Sequence, residues 1–288
     1  MKNLNYQLKT LCRQNRDGGH STQVNRAYLL NQMANHLHEL GYRNMNAKSL
    51  RPKHVERLLK YWTDQGIGNA ALKNRLSAIR WWAGKVNKHN VVSRSNSVYG
   101  IGQVPSIPES TKAQQLDLAK VSEIPDLHIQ LSIRLQSAFG LRREEAIKFQ
   151  PTYAIGEKRI SLKASWTKGG RARSVPILTE EQRELLQQVT ALAKGGALIP
   201  SDSNYVTQLR RYERLTRAIG LRNLHGLRHD YAQRRYHFIT GWACAAAGGP
   251  KASAMSSSER CADRDARLII SGELGHSREA IAATYLGR

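Results

Sequence analysis

The chain has 288 residues, 40% of them hydrophobic, and a formal net charge of +23 at pH 7 from 45 Lys/Arg against 22 Asp/Glu. That length suits about two domains, and that apolar content is enough for packed cores, which excludes a disordered tail protein. The charge says little about fold but selects a polyanionic partner, with nucleic acid foremost.

The excess is not confined to a tail. Residues 1–110 hold 17 Lys/Arg against 5 acids, so about half of the net charge falls there and the rest lies downstream. Both halves are therefore expected to face the same polyanion. Cys12, Cys244 and Cys261 are odd in number and lack zinc-ligand spacing, which reads as free thiols in a reducing compartment. No apolar run reaches the ~18 residues of a membrane span, and no signal peptide is recognisable. A soluble, intracellular protein is expected.

A first short helix is expected near Asn5–Arg13. Ser21-Thr22 cap a second, with Val24, Tyr28, Leu29, Met33, Leu37 and Leu40 at three-to-four spacing as its inward face, and Gly41 ends it. Ser49 and Pro52 open a third, with Val55, Leu58, Leu59 and Trp62 inward. After Gly66-Ile67-Gly68, Asn69 opens a fourth, with Leu72, Leu76, Ile79, Trp82 and Val86 inward. Lys73, Arg75, Arg80 and Lys85 lie on or beside this last helix, and no acid occurs between Asp64 and Glu109. Those four residues are the candidates for DNA phosphate contacts.

Residues 91–118 lose periodicity and gain Ser, Asn, Gly and Pro, which places an interdomain linker at 101–118. The expected division is a helical domain at 1–100 and a mixed domain at 119–288. The second begins with a helix through Ile129–Phe139. Strands follow at Arg159–Trp166 and Arg173–Ile177, around a Lys-Gly-Gly turn. Helices are expected at Glu180–Ala193, Ser203–Ile219, His225–Phe238, Asp263–Leu274 and Arg278–Leu286. The Ala/Gly/Ser-rich stretch Ala243–Ser258 reads as a loop.

Single reactive residues stand out along this second domain. Arg142 follows Gly140-Leu141 and precedes Glu144-Glu145. Lys168 sits at the presumed hairpin tip. His225 and Arg228 are three apart and share a helix face. His276 follows a glycine, and Tyr285 lies nine positions beyond it. Taken one by one, each also fits a structural or surface role. Breaking a phosphodiester without a metal needs guanidinium groups on the non-bridging oxygens, a nucleophile such as a phenol, and a proton donor for the leaving hydroxyl. The set supplies every one of these.

In combination the motifs resemble the tyrosine recombinase (phage integrase) family. Phe139-Gly140-Leu141-Arg142-Arg143-Glu144-Glu145 resembles its Gly-Leu-Arg-x-x-Glu box. Thr167-Lys168-Gly169-Gly170, followed by Arg173 and Val175-Pro176, resembles the hairpin of its catalytic lysine. Leu224-His225-Gly226-Leu227-Arg228-His229 resembles the His-x-x-Arg box. Leu274-Gly275-His276-Ser277 and Tyr285 resemble the last histidine box and the nucleophile. The resemblance implies a mainly α fold: a helical core-binding (SAM-like) domain, then an α+β catalytic domain with a small antiparallel sheet. It implies a site-specific integrase of a bacterial mobile element or prophage, working through a 3′-phosphotyrosyl intermediate without metal or other cofactor. Arg142, Arg228 and His276 would bind the scissile phosphate and Tyr285 would attack it. Lys168 would protonate the 5′ hydroxyl with help from His225, and Glu145 would orient an arginine. Implied partners are double-stranded DNA, three further copies on paired sites, and DNA-bending or directionality factors, in the bacterial cytoplasm at the nucleoid. The alternatives are a catalytically silent DNA-binding regulator and a type IB topoisomerase-like enzyme.

Two departures from the family pattern are visible. Arg228 and His276 stand 48 positions apart, about twice the usual gap, so 241–258 reads as an insertion that touches DNA or a neighbouring protomer. Only Leu286-Gly287-Arg288 follow Tyr285, whereas many relatives have a further helix there that docks on the next subunit. That contact is expected to be absent or made by another element.

Overall fold

The structure, a computed structural model, describes residues 3–103, 107, 110–167, 169–276 and 279–288. The chain divides into two compact units, Met1–Pro105 and Ser106–Arg288.

The described residues of the first unit form the α-helices α1 (Asn3–Gln14), α2 (His20–Glu39), α3 (Pro52–Asp64) and α4 (Asn69–Lys85). Pro52 at the first turn of α3 costs nothing, because its missing N–H has no helical partner there. Leu30, Leu37, Leu50, Val55, Leu58, Trp62, Leu76, Ile79 and Trp82 form the centre of the core. Both tryptophans are fully buried, and their indole N–H groups are satisfied. Trp62 donates to His36 Nδ1 at 3.0 Å and Trp82 to the Ala47 carbonyl at 2.9 Å. The expected inward face of α2 needs a correction at its start. Val24 and Tyr28 are exposed, and burial begins at Leu29, with Leu30 and Ala34 joining Met33 and Leu37. Spacing identifies a stripe on a helix but not how much of it a neighbour covers.

The second unit contains α5 (Leu118–Ser122), α6 (Leu127–Phe139), α7 (Arg143–Ile147), α8 (Pro151–Ala154), β1 (Arg159–Leu162), β2 (Arg173–Pro176), α9 (Glu180–Ala193), α10 (Tyr205–Ala218), α11 (Gly226–Thr240), α12 (Ser257–Glu273) and α13 (Ala283–Leu286). β1 and β2 pair antiparallel, from Arg159 opposite Pro176 to Leu162 opposite Arg173. The first expected strand is shorter than read, since Ala164–Trp166 form a 3-10 turn. Helix α6 packs on α9 and α11, and α11 packs on α12 and α13. The core between them holds Leu135, Phe139, Ile160, Val175, Leu186, Tyr236, Ile270 and Leu286.

Three other expectations shift. Part of the expected linker packs on the second unit: the Gln114 N–H donates to the Gly226 carbonyl, and Thr111 bonds the Gln233 side chain. The stretch after α11 is not a free loop. It makes two 3-10 turns, Ala245–Ala247 and Ala252–Ala254, and buries Cys244 and Met255. Ser256 then caps α12, accepting from the Glu259 N–H while the Glu259 carboxylate accepts from the Ser256 N–H, so the helix starts six residues before Asp263. The last expected helix is a 3-10 turn, Glu279–Ile281, followed by α13; Arg278 lies outside the described residues. Among the described residues no helix is long and apolar enough to cross a membrane.

Candidate active site

Arg142, Glu145, Arg228, His276 and Tyr285 are brought together from four elements of the second unit. Helix α6 ends at Gly140, which adopts φ +59°. That left-handed turn swings the chain so that Arg142 caps α7. A side chain at Gly140 is barred as well, because a Cβ there would lie 2.5 Å from Tyr231 Cδ1. Helix α12 ends in a Schellman turn. Gly275 N–H donates to the Gly272 carbonyl, His276 N–H donates to the Ser271 carbonyl, and Gly275 sits at φ +69°. This turn reverses the chain and delivers His276 to the site.

Glu145 lies at the base, with no exposed surface. It accepts from the Arg142 backbone N–H at 2.6 Å and from Arg142 Nη1 at 2.8 Å. It also takes both terminal nitrogens of Arg173, at 2.7 and 2.6 Å. Burial pushes its carboxyl pKa up, but the Arg173 hydrogen bonds and charge, the Arg142 N–H and the Arg228 charge outweigh it and hold the group down to about 2. Arg173 Nε donates to the Glu273 carbonyl at 2.8 Å, which ties β2 to the end of α12.

Arg228, on the first turn of α11, is almost wholly buried. Its Nη1 donates to the Gly140 carbonyl at 2.5 Å, its Nη2 to the Leu274 carbonyl, and its Nε to the Tyr285 hydroxyl at 3.3 Å. Burial draws its pKa down to about 10, with the charges of Arg142 and Arg173 adding and those of Tyr285 and Glu145 opposing, so it stays a cation at neutral pH. Arg142 Nη2 reaches the same Leu274 carbonyl at 3.4 Å. The two guanidinium groups therefore converge on a single backbone oxygen.

Tyr285 is 5% exposed, on α13. Its ring centroid is 5.5 Å from that of His276, 4.6 Å from His229 and 6.3 Å from His225. His276 Nε2 is buried without a partner. Burial, then the charges of Arg228, Arg142 and Arg173, hold its ring pKa down to about 4. His225, exposed, precedes α11. Lys168 lies outside the described residues.

Arg173 and His229 were quoted within motifs but given no role by the sequence, and both lie in contact with this cluster. His229 is buried beside Tyr285, its Nδ1 without a partner, and burial with the charges of His225, Lys112 and Arg228 draws its pKa down to about 4. The available signal for Arg173 was its position in β2, where alternation with Val175 turns it inward.

The four DNA-contact candidates lie in the first unit. Arg75 packs its guanidinium over the Trp62 ring at 5.3 Å. Arg80 donates to the Ser93 carbonyl and to Asn96 Oδ1, at 2.8 and 2.7 Å. Lys85 pairs with Asp17 at 2.9 Å. Lys73 is half-buried on the same helix. Three of the four thus have partners within the unit.

The family model described as "Phage integrase, N-terminal" matches residues 1–89, and the one described as "Integrase" matches residues 102–234. The chain belongs to the tyrosine recombinase (phage integrase) family. The second match ends before His276 and Tyr285. Solved structures of the family share its fold. A lambda integrase dimer bound to a COC′ core site has a TM-score of 0.66 and 16% identity, over 99% of this chain and 78% of that one. The XerH recombinase bound to its palindromic difH substrate, a post-cleavage complex, has a TM-score of 0.62 and 18% identity, over 99% and 81%. The Tn1549 transposon integrase with circular intermediate DNA has a TM-score of 0.57 and 14% identity, over 98% and 95%. No curated protein matches the sequence.

Proposed function

We propose that this family member is a site-specific DNA recombinase whose nucleophile is Tyr285. The observation that carries the reading is the Tyr285 hydroxyl, 3.3 Å from Arg228 Nε, beside the carbonyl on which Arg142 and Arg228 converge. A phosphate at that point would meet two fixed cations and the neutral ring of His276, with the phenol adjacent.

In the proposed reaction Tyr285 Oη attacks phosphorus, forming a 3′-phosphotyrosyl bond as the bond to the 5′ oxygen breaks. The phenol loses its proton and the 5′ oxygen gains one, with Lys168 as the donor and His225 assisting. Arg142 and Arg228 neutralise charge growing on the non-bridging oxygens and His276 donates a hydrogen bond to it, where preorganised donors are worth about 10²–10³ in rate each. Glu145 keeps Arg142 in place. The reverse attack by a 5′ hydroxyl restores the phosphodiester, so no energy source is consumed. The first unit would grip the DNA with its basic helix α4, and four copies on paired sites, aided by accessory factors, would exchange strands in a bacterial cytoplasm.

The test is a duplex bearing the junction sequence recovered from the host genome, nicked beside the cleavage point so that religation fails. A covalent protein–DNA adduct is expected, lost in Tyr285→Phe and reduced at least about 100-fold in Arg228→Ala. Binding without an adduct would make the chain a silent regulator.

A further inference from the structure

Helix α13 is four residues long and carries Tyr285. One helical turn has no stability of its own, so tertiary contacts decide where the phenol sits. Its backbone is gripped at two carbonyls. Gln233 Nε2 donates to the Tyr285 carbonyl at 3.0 Å, and Arg267 Nη1 donates to the Gly287 carbonyl at 2.9 Å. Arg267 is itself fixed. Its Nε donates to both Asp263 oxygens, at 2.9 and 2.8 Å, and the Tyr236 hydroxyl donates to Asp263 Oδ1 at 2.6 Å. Tyr236, Asp263 and Arg267 are all buried, and nothing in the proposed chemistry uses them.

The segment after α11 closes the other side. Cys244 and Ala246 belong to the same core as Tyr285 and Leu286. A Cβ on Gly287 would lie 2.7 Å from the Ala246 nitrogen, and Gly287 has φ +73°. The backbone around Gly287 is thus pressed between Arg267 and the 245–247 turn.

We propose that Tyr236, Asp263 and Arg267 form a positioning chain that fixes the nucleophile through the Gly287 carbonyl, with the 244–247 segment as its backstop. This rests on Tyr285 being the nucleophile. A buried ion pair adds little net stability, and its value here lies in geometry, with Nε held by the Asp263 carboxylate and Nη1 by the Gly287 carbonyl. Here the fork joins α11 and α12 to the backbone two residues beyond the phenol. The segment read as an insertion acquires a role within its own protomer.

The experiment uses the full-length protein and the nicked duplex described above. Arg267→Lys keeps a charge beside Asp263 but cannot hold both the carboxylate and the carbonyl. It should bind DNA as the parent does, yet form the adduct more than about tenfold more slowly, because an ångström-scale misplacement of a nucleophile costs that much or more. Gly287→Ala should do the same without touching a charge, and it serves if the lysine variant fails to fold. The decisive readout places each substitution in a Tyr285→Phe background with hydrogen peroxide as external nucleophile. Peroxide attacks phosphorus, the bond to the 5′ oxygen breaks, and the peroxide proton passes to that oxygen. Peroxide-driven cleavage should be unchanged, since it needs the arginines but not α13. Parent-like adduct rates in both variants would overturn the positioning chain, and so would an equal fall in peroxide-driven cleavage. An adduct persisting in Tyr285→Phe alone would instead overturn the nucleophile assignment.

Discussion

Glu145 is a carboxylate with no exposed surface between two arginines, and its pH response follows from that. Its folded pKa of about 2 lies below the ordinary 4.5. The stabilisation is therefore complete above about pH 4.5 and is lost as the pH falls through about 2. Denaturant unfolding of the parent and Glu145→Gln at a series of pH values should show that extra acid sensitivity in the parent alone. Parallel curves would mean that the carboxylate is not held by its arginines. His276 makes the opposite case. With its pKa near 4 it is neutral in the free protein at pH 6. An arriving phosphate favours the protonated ring. NMR titration should find the transition near 4 in the free protein and well above that with bound DNA, and no movement on binding would take His276 off the phosphate. Arg142, His225, Arg228, His276 and Tyr285 could be singled out because each sits in a short motif with fixed spacing, and the structure draws them together. Arg173 was not, because its meaning lies in Glu145, 28 positions away, and only the β2 fold-back brings them together.

At the scale of elements, the left-handed residue ending α6 is a sensitive joint. Gly140→Ala meets the Tyr231 ring and an unfavourable φ together. A loss of about 1–3 kcal/mol in thermal or denaturant melts is expected. A neutral result would show that the α6–α11 contact yields easily. The long helices were legible from periodicity, and the hairpin from its turn. Helices α5, α7 and α8 were not, since four or five residues leave no period to read. The start of α12 could have been found. Ser256 with Glu259 is a capping pair, hidden by the small residues around it.

For the molecule as a whole, the +23 charge bears on association rather than folding. Each neutralised phosphate releases counterions, so affinity should fall about 10³-fold or more between 50 and 200 mM salt if about six or more phosphates are contacted. Fluorescence anisotropy across that range measures the slope, and a shallow one would confine contact to a few phosphates. Division into a helical unit and a mixed unit was visible from the loss of periodicity after α4. Which unit residues 111–114 joined was not, because their bonds to Gln233 and Gly226 depend on where α11 lies.

The Leu274 oxygen, shared by Arg142 and Arg228, belongs to the residue that caps the C-terminal end of the seventeen-residue helix α12. That end carries the negative pole of the helix. It offsets the mutual repulsion of two crowded cations, both of which bond the one oxygen. In the proposed reaction a phosphodiester would take over those hydrogen bonds, and the same pole would oppose the incoming anion. Ground-state grip would thereby weaken, and a rejoined strand would be freer to depart.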